Sequence, residues 1–384
     1  MAGPAGVALC GAVPFDGRRL RPGCAVVVEA GRVVAVTPDP PAGVERVWLA
    51  GGILAPGFID AQVNGGGGVM LNDDPSPATM ARMVSAHLRF GTTALMPTLI
   101  TDTPEVTHAA LMAAADAPEG VVGLHLEGPH LAPARRGAHR AELMRPLGDS
   151  DVALYAAARP RVGRLMVTVA PEMAPPALIT QLVEAGVTVS LGHSDAPAAV
   201  AEAAFDAGAR GVTHLFNAMS GLDHRRPGLA AAALLRRDVC AGIIADGHHV
   251  DGRLVRLAMA MMGPRAFLVT DAMAPVGAAP GEGFVLNGEP VRLVAVPGAP
   301  YRLELADGTL AGAALDMATA VRFVAGPVAG QGVAGALGRA TLGPARFLGL
   351  GDRGRLRAGA RADLVHLSDA LEVRAVWRAG NQVA

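Results

Sequence analysis

Five side chains that bind metals or move protons stand at the ends of short apolar runs. Glu127 closes "GVVGLHLEG", His193 "VTVSLGHS", His214 "GVTHLFNAM", Asp246 "VCAGIIADG" and Asp271 "AFLVTDAM". One glutamate and two histidines, Glu127, His193 and His214, suit a divalent ion of zinc type, with three protein ligands and a fourth position open to water. Such an ion lowers the pKa of its water toward about 7 and polarises a carbonyl beside it, which is what amide hydrolysis needs. Asp271 is then the natural general base, and afterwards the acid that protonates the departing amine. Its competing reading is a helix cap or an arginine partner. A lone histidine at a strand end is more often a hydrogen-bonded packing residue. Five polar ends among eight runs are hard to ascribe to packing.

Other polar residues surround this set. His125, two residues before Glu127, shares its face by strand alternation; support for the ligands and plain packing weigh equally. His139, in the loop "RRGAHR", is placed to reach a substrate carbonyl, against the alternative of a solvated loop histidine. His130 shares that loop, and His248 and His249 follow the seventh run. His87, His108, His224 and His366 receive no function. In "DHRRPGLA", Arg225 and Arg226 follow the sixth run, and arginine forks pair well with phosphate. Backbone amides near Asn217 and Ala218 could add an anion nest. The competing reading is a solvated surface pair; with the metal set beside it, an anionic substrate is the better fit.

Converging such ends requires a barrel. From residue 53, apolar runs of about five to eight residues alternate with helical segments, as buried parallel strands and their crossovers do. Eight runs define a (β/α)₈ TIM-type barrel of the α/β class, and its strand ends meet at one mouth, where catalysis occurs. In "DPSPATMARMVSAHLRFG" a serine cap precedes Pro77, Met80, Met83, Val84, His87 and Leu88 share a face, and Gly91 ends the helix. Residues 7–54 read instead as short antiparallel strands. After the eighth run come an acidic, Gly-rich insert at 276–312, two helices and a strand-like tail. The expected organisation is a small β-sandwich domain from 1–54 and 355–384, and a hydrolase barrel over 55–354.

Composition narrows the function further. The 384 residues carry a formal charge of -1, without a polybasic run interleaved with aromatics, so neither nucleic acid nor an anionic membrane surface is an expected partner. No apolar run reaches the roughly 18 to 20 residues that span a bilayer. The opening stretch does not read as a signal peptide, so a cytoplasmic location is expected. Cys10, Cys24 and Cys240 form no CxxC pair. All 33 basic residues are arginine, which excludes a Schiff base, a Walker lysine and a carbamylated lysine bridging two metals.

The stretches "PGFIDAQVNGGGG", "HLEGPHL", "RRGAH", "GHSDA", "THLFNAM", "RRPGLA", "IIADGHHV", "LVTDAM" and "GRLRAGARADLV" resemble, in order and over nearly the whole chain, the N-acetylglucosamine-6-phosphate deacetylases of the amidohydrolase superfamily. Most of that superfamily carries a His-x-His metal pair on the first strand; here those places hold Gln62 and Asn64, as in the single-metal form of the deacetylases. The resemblance implies hydrolysis of N-acetylglucosamine 6-phosphate to glucosamine 6-phosphate and acetate. It implies one divalent ion per subunit, zinc first and iron, cobalt or manganese as alternatives, on Glu127, His193 and His214. It makes Asp271 the acid/base and His139 the group that helps polarise the acetyl carbonyl. The phosphosugar would meet Ala138, His139, Asn217, Ala218, Arg225, His249, Leu310, Ala311 and Gly312, in a homodimer whose neighbouring subunit supplies some contacts. Ala313 and Ala314 replace a usual serine pair, His130 a bulky aromatic, and His248 adds an imidazole, changes that could retune the pocket. Three rival readings stay open: the N-acetylgalactosamine 6-phosphate epimer, a cyclic-amide hydrolase with two metals, and a catalytically silent barrel.

Overall fold

The computed structural model describes residues 6–278, 284–297 and 299–384. Eight parallel strands pair in chain order: Phe58–Val63, Thr92–Ile100, Leu124–Glu127, Leu165–Val169, Thr188–Leu191, Gly211–Val212, Cys240–Ile244 and Ala266–Val269. The cylinder closes where Asp271 N–H donates to Gln62 O at 3.0 Å and Val63 bridges Ala272. All nine residues of the second strand are buried, as befits a parallel strand covered on both faces. This is the expected TIM-type barrel. The helix Pro77–Leu88 begins at Ser76, whose hydroxyl accepts the Thr79 amide at 3.2 Å, and it buries Met80, Met83, Val84 and His87; losing that cap would cost about 1 kcal/mol.

The barrel interior is not wholly apolar. Threonines and a serine on adjacent strands form a chain with His125: Nδ1 lies 3.2 Å from Thr98 Oγ1 and Nε2 2.7 Å from Thr168 Oγ1, and Thr213 links Thr168 to Ser190 at 2.7 Å each. Both ring nitrogens of His125 are thus taken by hydroxyls. Burial depresses its pKa to about 4, so it is a neutral element of the barrel core beneath the mouth.

Two sheets face each other beside the barrel. One holds Arg32–Thr37, Ala25–Glu29, Val7–Cys10 and Glu45–Trp48; the other joins Val13–Pro14 and Ile53–Pro56 to Leu364–Leu367, Val373–Arg378 and Asn381–Gln382. Leu9, Val26, Val28, Leu54, Leu364 and Trp377 fill the space between them. A β-sandwich built from both chain ends is therefore present.

The segment after the eighth strand departs from the sequence reading. Where the sequence showed only an acidic, Gly-rich insert, Phe284–Leu286, Glu289–Val294, Arg302–Glu304 and Leu310–Ala313 form a four-stranded sheet. Its first hairpin turns on Asn287 and Gly288, both at positive φ (53° and 84°), the geometry that favours Asn-Gly. Leu286, Val291, Leu303 and Ala311 seat this sheet on Met70, Ile100 and Met273 at the barrel mouth. Three helices follow rather than two: Met317–Ala325, Gly332–Ala340 and Leu342–Phe347. Pro344 has no N–H for the Ala340 carbonyl, so a continuous helix cannot cross Thr341. Among the described residues, no helix is long and apolar enough to cross a membrane.

Candidate active site

The ends of the third, fifth and sixth strands bring three ligand atoms together. His214 Nε2 lies 2.9 Å from Glu127 Oε1, His193 Nε2 lies 3.2 Å from the same oxygen, and the two nitrogens are 3.0 Å apart. Ligands about 2.0–2.1 Å from a tetrahedral ion stand roughly 3.3 Å from one another, so the spacing fits. All three residues are buried. His193 and His214, with Asp271, hold left-handed backbone (φ 47°, 31° and 52°), a conformation that costs of order 1–3 kcal/mol per residue and gathers at functional sites.

Protonation decides which imidazoles can ligate. His193 Nδ1 sits 2.8 Å from the Arg135 carbonyl, which only accepts; its proton is therefore on Nδ1 and Nε2 keeps a lone pair. His214 Nε2, 3.0 Å away, either donates a proton to that lone pair or shares a cation with it, and Glu127 Oε1 facing both nitrogens supplies the negative charge a cation would meet. His139 offers a second grouping, since a set of Glu127, His139 and His193 atoms lies within 4.8 Å. However, its Nδ1 accepts the Thr101 backbone N–H at 3.3 Å, and burial with the neighbouring His193 holds the ring neutral, its pKa near 3. The single proton then resides on Nε2, 4.0 Å from Glu127 Oε2, making His139 a donor and not a ligand. We therefore favour the tighter set of Glu127, His193 and His214.

The first-strand amides have a distinct task. Gln62 Nε2 reaches Glu127 Oε1 at 3.2 Å and Asp271 Oδ1 at 3.0 Å, and Asn64 Nδ2 reaches the same Asp271 oxygen at 2.7 Å. Both amides donate their N–H groups to carboxylates, so neither nitrogen can ligate, and the first strand offers no imidazole to a second metal. Burial pushes the Asp271 carboxyl up to about 6, with the Glu127 charge adding to it. Asp271 is further pinned by its own backbone, whose carbonyl accepts Ala313 N–H at 3.0 Å.

Asp60, two residues before Gln62, is an addition that the sequence reading overlooked. Its Oδ2 accepts the Thr270 hydroxyl at 2.6 Å, and its Oδ1 accepts the amides of Gln62 (3.2 Å) and Thr270 (3.3 Å). The residue before Asp271 is thereby tied to the first strand. Burial, the largest influence, raises the Asp60 carboxyl to about 7. Its signal was the inward alternation of "FIDAQVN", where 60, 62 and 64 share a face.

A cleft of about 520 Å³ opens over these groups, lined by Glu127, His193, His214 and Asp271 and by Ala138, His139, Asn217, Ala218, His249, Leu310 and Gly312. That volume suits a small ligand. Gly312 is at φ 63°, and a Cβ there would meet Met273 Cγ at 2.6 Å and Asp271 O at 3.0 Å, so only glycine lets this strand lie against Asp271. Asp246 is no ligand: its Oδ2 holds His249 Nδ1 at 2.6 Å and its Oδ1 takes the amides of His248 and His249. The carboxylate therefore fixes the His249 ring. Burial acts to raise the Asp246 pKa, but these hydrogen bonds outweigh it and leave the group below its ordinary value.

Some expected residues lie elsewhere. Arg225 is exposed and does not line the cleft; its amide bonds to Asp223, which organises the outer loop. Ala311 is fully buried in the apolar cluster under the mouth sheet. The Asn217 amide is spent on His214 O at 2.9 Å, which leaves a weaker nest than anticipated. Ala313 and Ala314 do not line the cleft, His130 is buried against Tyr155, and His248 bonds to Pro300 O. None of these four residues lines the cleft. Conversely, Arg136 and Thr309 do line it. The "RR" pair beside His139 was the available sign of a cation at the mouth.

The eight-stranded barrel and its Glu-His-His cluster with an aspartate at the last strand define a metal-dependent hydrolase. The description "Amidohydrolase family" matches residues 53–383. An N-acetylgalactosamine-6-phosphate deacetylase from Shewanella sp. (strain ANA-3) is 42% identical over 337 residues, 86% of this chain and 83% of the relative. An N-acetylglucosamine-6-phosphate deacetylase from Danio rerio is 36% identical over 355 residues, 88% of this chain and 86% of the relative. The crystal structure of such a deacetylase from Pasteurella multocida covers 99% of this chain and 100% of its own at TM-score 0.93 and 32% identity. A mutant from Mycobacterium smegmatis in complex with N-acetyl-D-glucosamine-6-phosphate gives TM-score 0.90 at 36% identity, covering 98% and 99%. This chain belongs to the amidohydrolase family.

Proposed function

We propose that this enzyme hydrolyses the N-acetyl group of N-acetyl-D-glucosamine 6-phosphate, releasing glucosamine 6-phosphate and acetate, with one divalent ion on Glu127, His193 and His214. The observation that carries this reading is the pair of first-strand amides holding Glu127 and Asp271, which favours a single ion beside a free carboxylate. Carboxylate and imidazole donors suit zinc first, and iron, cobalt or manganese as well. When bound, the ion supplies Lewis acidity to the acetyl carbonyl and acidifies water.

The remaining chemistry belongs to the chain. Asp271 accepts the proton of the attacking water and returns it to the amine nitrogen as the C–N bond breaks. His139 donates Nε2–H to the acetyl oxygen as negative charge builds there. His249, oriented by Asp246, turns its Nε2 toward the sugar phosphate, and Arg136 at the mouth adds charge attraction. The enzyme is proposed to act in the cytoplasm as a homodimer, in which the exposed Arg225 can serve a neighbouring site.

A second reading is favoured by the 42% identical relative, named for the galactosamine epimer. Acetate release measured side by side on both phosphosugars decides between them. A kcat/KM at least tenfold higher on the gluco substrate supports the first reading; the reverse ratio assigns the second, and no release from either rejects both.

A further inference from the structure

At the far end of the barrel from Asp271, arginines crowd two adjoining hollows. Arg18, Arg21, Arg355 and Arg357 line one of about 530 Å³; Arg18 also borders the second, about 330 Å³, with Arg339 and Arg346. Pro264, which lines the second hollow, lies in the turn Gly263–Arg265 that leads into the eighth strand, whereas Asp271 follows that strand. The site is therefore separate from the catalytic mouth.

Four chain segments make this cluster. Arg18 and Arg21 come from the N-terminal region, Arg339 from the helix Gly332–Ala340, Arg346 from the helix Leu342–Phe347, and Arg355 and Arg357 from the returning tail. Gly17, at φ 101°, allows the contact, because a Cβ there would sit 2.8 Å from Gly354 O and 2.9 Å from Arg355 Cγ. Arg355 is pushed below the usual arginine value by burial and then by Arg346, Arg18 and Arg357. Guanidinium groups do not deprotonate in proteins, so the crowding is a standing repulsion.

Counter-charge is short. Asp16 is the one carboxylate lining either hollow among the described residues, and it already takes Arg21 Nε at 2.7 Å and the amides of Arg18 and Arg19. Arg18, Arg346, Arg355 and Arg357 have no ion pair among the described residues. Arg355 Nε and Arg339 Nε are buried without a hydrogen-bond partner. In a chain of formal charge -1, this concentration is local and not a general basicity.

We infer that these hollows bind a small phosphate-bearing anion, which neutralises the arginine cluster and ties the sandwich to the base of the barrel. Planar guanidinium forks match phosphate oxygens two at a time, and the concave, few-hundred-Å³ shape selects a small molecule over an extended polymer. The inference does not depend on the substrate assigned above.

Calorimetric titration of the metal-loaded full chain tests it, with inorganic phosphate and, in a second arm, glucose 6-phosphate. Two binding events are expected, one at each end of the barrel. Arg18→Ala/Arg355→Ala weakens one event at least tenfold and leaves acetate release within about twofold of the parent; His249→Ala weakens the other. The exposed Arg357→Glu, which preserves the packing of Arg355, weakens the same event as the double variant. Response in the glucose 6-phosphate arm alone identifies an organic phosphate; response in both identifies the phosphoryl group itself. A single event that His249→Ala abolishes, or two events untouched by every arginine variant, overturns the inference.

Discussion

Gln62 Nε2 stands 3.2 Å from Glu127 Oε1 and 3.0 Å from Asp271 Oδ1, so one amide group spans the carboxylate that would hold the ion and the carboxylate that would move the proton. Two buried carboxylates this close repel; a neutral donor between them relieves the repulsion without adding charge.

Gln62→Glu replaces that donor by a third acceptor. Activity is expected to fall by about 100-fold or more, while Gln62→Ala, which only loses the bridge, falls roughly 10- to 100-fold. Steady-state rates of acetate release with metal content measured in parallel check the order of the two variants.

Asp271→Asn removes the proton carrier but keeps an acceptor oxygen for Asn64. Turnover should drop by about 10²- to 10⁴-fold with the ion retained. The pH profile carries a sign as well: a base works only when deprotonated, so kcat/KM falls as the pH drops through the Asp271 pKa. That pKa is about 6, raised by burial and then by Glu127 and held back by His214, the Asn64 hydrogen bond and His249, and a bound cation would pull it lower. The acid limb is expected at or below pH 6 and absent in the asparagine variant's residual activity.

Asp246→Asn weakens the grip on His249 without touching Glu127, His193 or His214. A roughly tenfold rise in KM with kcat changed less than threefold is expected, because orientation of a phosphate contact is uniform binding. Loss in kcat alone would place His249 at the reacting atoms.

Asp60 gives a stability prediction. Its folded pKa, about 7, lies above the ordinary aspartate value of 3.8, so its contribution is complete below about pH 3.8 and is lost as pH rises through 7. The loss is on the order of a few kcal/mol. Asp60→Asn mimics the protonated form and should gain Tm relative to the parent as pH goes from 5 to 8. A difference in Tm that stays flat over that range contradicts the assignment.

The barrel and its chemistry were legible because each polar residue sat at the end of an apolar run, and strand alternation put Glu127 inside. The mouth sheet was not, although Asn287-Gly288 carried a hairpin signal, because its strands are short and glycine-rich composition masked the alternation. His125 shows a different limit: sequence placed it inside the barrel but could not show that Thr98 and Thr168 occupy both its nitrogens. The bond from Thr101 N–H that makes His139 a donor depends on a contact across 38 residues, which no local pattern encodes. Arg225 looked like a phosphate ligand beside a strand end, yet its loop carries it outward.

Metal analysis of purified single variants tests the heart of the site most directly. One ion per chain is expected for the parent, with loss in Glu127→Ala, His193→Ala and His214→Ala and full retention in His139→Ala. An ion kept by His214→Ala and lost from His139→Ala would show that the histidine assigned here as a donor is a ligand, and the chemistry built on Glu127, His193 and His214 would fail.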